Sequence, residues 1–265
     1  MKNKAIFSGF AYYIQTVLFS IYSKLMPVPN RHLPYRFAGG KIYLNIKESP
    51  MMLTRVIGLY ERNKTHAIFS LLKPGMTFVD VGAHKGYFSL IAAKIVGESG
   101  SVLAFEPEPD NCAWMSRSID LNGYQNIQLY EFAVGDVNEQ ATLYLGCASG
   151  LHTLLSLQPR KNMKTIQIQK RTLDSLLEVI NHRNINMIKI DVEGAELEVL
   201  YGAEQTLNNN KDIVLLIDLH PQLGVNPAEV CGFLKERGFS IYNMKNPYSK
   251  PVRISQRLNE ILARR

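Results

Sequence analysis

Short apolar runs alternate along the chain with segments whose apolar positions recur every three to four residues. The runs at 77–81, 102–106, 127–132, 186–191 and 213–219 read as strands, since each is bounded by turn-forming residues. Helical spacing covers 87–96, 109–121, 173–181, 195–207 and 226–237. A further strand is expected at 141–145. Strand–helix alternation of this kind predicts an α/β fold: a mostly parallel sheet, right-handed crossovers and helices on both faces. Ligands of such sheets collect at the carboxyl ends of the strands.

Upstream the pattern changes. "YRFAGGKIYLNI" (Tyr35 to Ile46) reads as a hairpin around Gly39-Gly40. A helix starting at Ser49-Pro50 runs to Leu72, where Lys73-Pro74-Gly75 stops it. Three regions follow: an N-terminal helical extension and linker (1–34), a hairpin plus helix leading into the core (35–75), and the main domain (76–265).

Charge separates the first two regions from the third. Residues 1–75 carry eleven Lys/Arg against Glu48 and Glu61, whereas residues 76–265 carry 19 against 21 acids. The main body thus lacks the basic stripe of a nucleic-acid cleft, and no nucleic-acid partner is expected. Cys112, Cys147 and Cys231 are scattered without a CxxC, which reads as reduced thiols in a cytoplasmic protein. The stretch Ala5 to Ser23 is free of charge and flanked by Lys2, Lys4 and Lys24. Ile6, Phe10, Ile14, Val17, Ile21 and Leu25 share one helical face. This segment fits a helix packed on the main domain, or an interfacial helix (residues 5–25) drawn to the inner face of an anionic membrane. A true span is the third reading, although a span takes about 20 strongly apolar residues and this run contains Ser8, Gln15, Thr16 and Ser20. Met26 to Pro34 breaks any helix.

Candidate chemistry sits at the strand ends. In "FVDVGAHKGYFSL" (Phe78 to Leu90), Asp80 closes the first strand and Gly82, Ala83, His84 and Gly86 lie in the turn into the next helix. A pyrophosphate site favours three glycines at closer spacing, and Asp80 would repel an anion. A carboxylate there suits a cationic amino-acid group, and the ligand it fits is S-adenosylmethionine. Glu106 ends the second strand, where its two oxygens can pair with the two hydroxyls of a ribose, and Pro107 walls the sugar. Ala133 and Val134 flank an adenine, with Asp136 near its amino group. Glu108 and Asp110 read as helix-start charges.

These residues resemble a known family. "DVGAHKGYFSL", "AFEPEPDN", "AVGD", "TLDSLL" and above all "IKIDVEGAELEVLYGA" (Ile188 to Ala203) are similar to the FkbM-type S-adenosylmethionine-dependent methyltransferases. The similarity extends to Tyr60-Glu61 and spans roughly residues 40–245. It implies a class I methyltransferase sheet of seven strands, Rossmann-like, and O-methylation of a sugar, glycan or natural-product hydroxyl. His84 departs from the pattern, since many relatives carry Asn there.

The fourth and fifth strand ends supply candidates for catalysis: Asp191, Glu193 and His220, with Glu61 added by the resemblance. Methyl transfer is an in-line displacement that needs an aligned acceptor, and a hydroxyl acceptor must lose a proton. Asp191 or Glu193 fits that base or orients the acceptor, and His220 is a second candidate. Lys189, inside an apolar strand, is expected to pair with an acid. Nothing in the spacing of Asp191, Asp218 and His220 requires a metal, and none is expected. "SGLHTLLS" (Ser149 to Ser156) is expected to cover the acceptor, a small molecule, sugar or lipid-linked glycan. Two other readings remain open here: a nicotinamide-dependent oxidoreductase, and a non-catalytic membrane-docked binding protein.

Overall fold

The computed structural model describes residues 30–146, 153–154, 164–182, 184–244, 251 and 258–265. The expected N-terminal helix, Cys147 and most of the Ser149–Ser156 loop lie outside these residues. Among the described residues, no helix is long and apolar enough to cross a membrane.

The hairpin forms as β1 (Leu33–Phe37) and β2 (Gly40–Leu44), paired antiparallel. The core sheet has seven strands in the order β11-β12-β10-β9-β3-β4-β5. Its parallel part is β10 (Val214–Asp218), β9 (Met187–Ile190), β3 (Thr77–Val81), β4 (Ser101–Phe105) and β5 (Ile127–Tyr130). These strands read as unbroken apolar runs because both faces are covered. Phe78, Val102, Met187 and Leu216 point into one core layer with Ile42, Ile68 and Leu90. Their neighbours Val79, Leu103, Ile188 and Leu215 point into the other, with Leu173, Leu200 and Leu234. The chain leaves β3 toward β4 and β5, then returns to β9 on the other side. The crevice between β3 and β9 is therefore the switch point where a ligand fits.

Two strands of the core sheet were not legible. β12 (Glu260–Arg264) runs antiparallel between β10 and β11 (Ser240–Asn243), and both are short and polar at their ends. The expected 127–132 strand stops at Tyr130. Ala133 and Val134 form β6, which joins β7 (Glu139–Leu145) and β8 (Lys164–Arg171) in a separate three-stranded sheet.

Four helices follow the expected bounds closely: α3 (Tyr87–Val96), α4 (Pro109–Asn122), α5 (Leu173–Val179) and α8 (Pro227–Glu236). Two expected helices are broken. The 49–72 segment divides into α1 (Pro50–Val56) and α2 (Arg62–Leu71). Between them the N–H groups of Leu59 and Tyr60 both donate to the Thr54 carbonyl, and Glu61 turns left-handed at φ 40°. The 195–207 segment divides at Gly202 into α6 (Glu196–Tyr201) and α7 (Glu204–Asn209). Gly202 packs so tightly that a Cβ would lie 1.9 Å from the Gly135 carbonyl oxygen. Asp174, from α5, accepts from the Gln205 and Thr206 N–H groups at 2.8 Å each and so starts the second half.

Candidate active site

A cavity of about 220 Å³, partly open to solvent, lies at the carboxyl ends of β3, β4, β9 and β10. At its floor the backbone of Gly82 (φ +76°) meets the end of β9, and a Cβ there would lie 2.0 Å from the Asp191 carbonyl oxygen. Only glycine lets these two strand ends close on each other. His84 (φ 52°), Glu61 (φ 40°) and Glu193 (φ 50°) line the same cavity, and each holds a left-handed backbone that costs energy outside glycine. Local strain thus concentrates where side chains converge.

On the β4 side, Glu106, Pro107, Phe132, Ala133 and Val134 form one wall. Glu106 accepts from the His84 N–H (2.8 Å), the Glu108 N–H (3.1 Å) and the Asn111 side-chain amide (3.2 Å), which fixes its carboxylate. Burial nevertheless outweighs these bonds and pushes its pKa up to about 7. Glu108 caps α4 by accepting from the Asp110 and Asn111 N–H groups, as expected of a helix-start acid.

Four of the expected cofactor residues do not line this cavity. Asp80 is fully buried. The cation it meets is Lys189 Nζ at 3.0 Å, its direct neighbour in the β3–β9 register, and Ser89 Oγ donates to it at 2.6 Å. Asp136 does not reach the adenine wall, because Lys170 Nζ holds it at 3.0 Å together with Glu139 and Glu198. Gly86 lies behind the turn, against the Met115 side chain, and Ala83 packs with Ala104 and Met115, so both shape the turn from outside the cavity.

The opposite wall is ionic. Glu61, Asp191, Glu193 and His220 all line it, together with Asp218. Sequence reasoning missed the group that organises them. Lys64, with no exposure, places Nζ 2.5 Å from Glu61, 2.5 Å from Asp218 and 3.4 Å from Asp191. Burial works against its charge, but these three acids outweigh that and raise its pKa well above the ordinary lysine value. One ammonium cannot satisfy three carboxylates equally. Asp218 is pushed up to about 8 by burial and by its acidic neighbours. Burial also acts on Asp191, yet Lys64, Lys189 and His220 hold it well below the usual carboxylate range. A lysine on an amphipathic helix looks like a solvated residue in the sequence, and its one signal was its place three residues after Glu61.

His220 Nδ1 lies 2.6 Å from Oε1 of Glu196, and its Nε2 lies 3.5 Å from Glu193 and 3.8 Å from Asp191. Burial lowers its pKa, but the three acids prevail and raise it to about 9. The imidazole therefore holds its proton more tightly than a free histidine does. Glu193 differs again: burial lifts it to about 7 despite His220 beside it. Ligand atoms of Asp191, Glu193 and His220 lie within 4.8 Å of one another, as do those of Glu61, Asp191 and Asp218. The second group surrounds the Lys64 ammonium. Of the expected acceptor loop, Leu154 lines the cavity and Thr153 Oγ1 donates to the Glu193 carbonyl at 2.7 Å.

A carboxylate placed for a ribose, an apolar slot for a base and an acidic wall for a cationic centre together suit S-adenosylmethionine. The strand order, with one antiparallel strand inserted between β10 and β11, is that of a class I methyltransferase. The family model described as the methyltransferase FkbM domain matches residues 80–241. The chain belongs to the FkbM methyltransferase family, and its cofactor is S-adenosylmethionine. It is 27% identical over 195 residues to Methyltransferase 1 of Beauveria bassiana, covering 65% of this chain and 76% of that protein. It is 28% identical over 184 residues to the hexuronic acid methyltransferase AglP of Haloferax volcanii, covering 68% and 70%. The crystal structure of an FkbM methyltransferase from Methylobacillus flagellatus aligns with a TM-score of 0.47 and 17% identity, over 75% of this chain and 49% of that one. Family membership sets the nicotinamide reading aside.

Proposed function

We propose that this chain methylates a hydroxyl of a sugar, glycan or related small acceptor, with Glu193 taking the proton. The carrying observation is the convergence of Glu61, Asp191, Glu193 and His220 on one wall, opposite Glu106. S-adenosylmethionine supplies an electrophilic methyl on a sulfonium. Glu106 would hold the ribose, Pro107, Phe132, Ala133 and Val134 would enclose the base, and the backbone of Gly82 and His84 would border the methionyl end. Asp191, kept ionised by Lys64, Lys189 and His220, would favour the cationic sulfonium, and Lys64 keeps Asp191 and Glu61 in place. Glu193, with a pKa of about 7, matches the range in which a base works best near neutrality. His220, oriented by Glu196, keeps Glu193 and Asp191 from repelling each other.

A sugar acceptor is supported by the similarity to AglP, whose name specifies a hexuronic acid. The test is transfer of labelled methyl to a panel of free uronic acids, neutral glycosides and lipid-linked glycans. Label that survives mild alkali identifies a methyl ether, whereas label released by alkali identifies an ester and overturns the hydroxyl assignment.

A further inference from the structure

Every buried lysine around the cavity has a carboxylate partner. Lys64 has three, Lys189 has Asp80, and Lys85 has Glu48 at 2.6 Å. Arg55 does not. It is 4% exposed, lines the cavity, and forms no ion pair with any described residue. Its Nη2 donates to the Tyr60 hydroxyl at 3.0 Å, its Nη1 contacts the weak acceptor Met52 Sδ at 2.9 Å, and its Nε has no partner. The Tyr60 ring stacks under the guanidinium, 4.2 Å from ring centroid to Cζ. A guanidinium withdrawn from water without a counter-charge is costly, so a site that keeps one is built for an anion that arrives later.

We propose that Arg55 is the carboxylate-binding residue of this cavity, receiving a ligand carboxylate on its open edge. Two ligands offer the required group: the methionyl end of the cofactor, and an acidic acceptor such as a uronic acid. Arginine suits either, because its planar fork can hold both oxygens of a carboxylate.

The inference rests on the cavity being the cofactor site, and the test separates the two claims. Calorimetry with the full chain compares S-adenosylhomocysteine, its decarboxylated analogue and 5′-methylthioadenosine, which lacks the amino-acid end. Binding of D-glucuronate to the S-adenosylhomocysteine-loaded protein is followed by NMR. For the cofactor source, Arg55→Gln weakens S-adenosylhomocysteine by about tenfold or more and leaves methylthioadenosine unchanged. For the acceptor source, S-adenosylhomocysteine is unaffected and glucuronate binding is lost. Arg55→Lys, which keeps the charge and loses the fork, falls between parent and Arg55→Gln. Unchanged binding of both ligands in a variant that still binds methylthioadenosine overturns the proposal. Should Arg55→Gln not fold, the parent alone decides: equal affinity for S-adenosylhomocysteine and its decarboxylated analogue, without glucuronate binding, also overturns it. Failure of the parent to bind methylthioadenosine strikes the cofactor site itself.

Discussion

His220 Nδ1 and Glu196 Oε1 are 2.6 Å apart, and the Glu196 side chain is wholly enclosed. A buried acid paired with Nδ1 fixes the orientation of the ring and leaves Nε2 directed at Glu193 and Asp191. The folded pKa of His220, about 9, exceeds its ordinary value of 6.5. Its contribution to stability is therefore complete below pH 6.5 and is lost as pH rises through about 9. Glu196→Gln should lower the His220 pKa by about one unit or more, equivalent to about 1.4 kcal/mol per unit. NMR titration of the imidazole in parent and variant measures it, and an unchanged midpoint refutes the pairing.

Glu193→Gln keeps the shape of the side chain and removes its proton affinity. Turnover should fall by about 10²-fold or more, while S-adenosylhomocysteine binds as in the parent. The parent rate should rise with pH through about 7 as Glu193 ionises, and the variant should lack that limb. If the variant retains parent-like turnover, Asp191 becomes the base to test, through Asp191→Asn.

Glu106 can accept from two ribose hydroxyls only when ionised, and its pKa is about 7. Cofactor affinity should therefore strengthen as pH rises through neutrality. Glu106→Ala should cost about 1.5–3 kcal/mol of binding. Calorimetry at pH 6 and pH 8 checks both statements, and a flat pH profile with unchanged affinity removes Glu106 from the site.

Lys64→Met leaves Glu61, Asp191 and Asp218 facing each other without their cation. Loss of one partner from a buried ionic cluster costs about 3–5 kcal/mol. Asp191 and Asp218, no longer facing the ammonium, would then titrate higher in the folded state than in the unfolded chain. Their contribution is favourable below their unfolded pKa values and vanishes as pH rises through the folded ones. The deficit in Tm relative to the parent should consequently shrink on acidification, and a pH-independent deficit would show that Lys64 acts by packing alone.

The charge pattern of residues 1–75 makes one prediction outside the described residues. The full-length chain should sediment with anionic vesicles at low salt and be released at high salt, because each basic residue near such a surface contributes about 1 kcal/mol that salt screens. A chain beginning near Tyr35 should remain in the supernatant. Equal behaviour of the two removes the membrane reading.

Local pattern determined much of this protein. The unbroken apolar run of β3, the turn from Gly82 to Gly86 and the helix from Tyr87 were legible because strand and helix periods and glycine turns are properties of adjacent residues. So was the gathering of Glu106, Asp191 and His220 at strand ends, which follows from the parallel connections. What each charge meets was not legible. Asp80 reads as a ligand residue until the β3–β9 register places Lys189 beside it. His220 reads as a base until Glu196, 24 residues away, closes on its ring. Lys64 and Arg55 sit on neighbouring helices and look alike as surface cations. Folding seals the first among three acids and leaves the second without one, because partners and burial are set by distances across the fold that no spacing along the chain records.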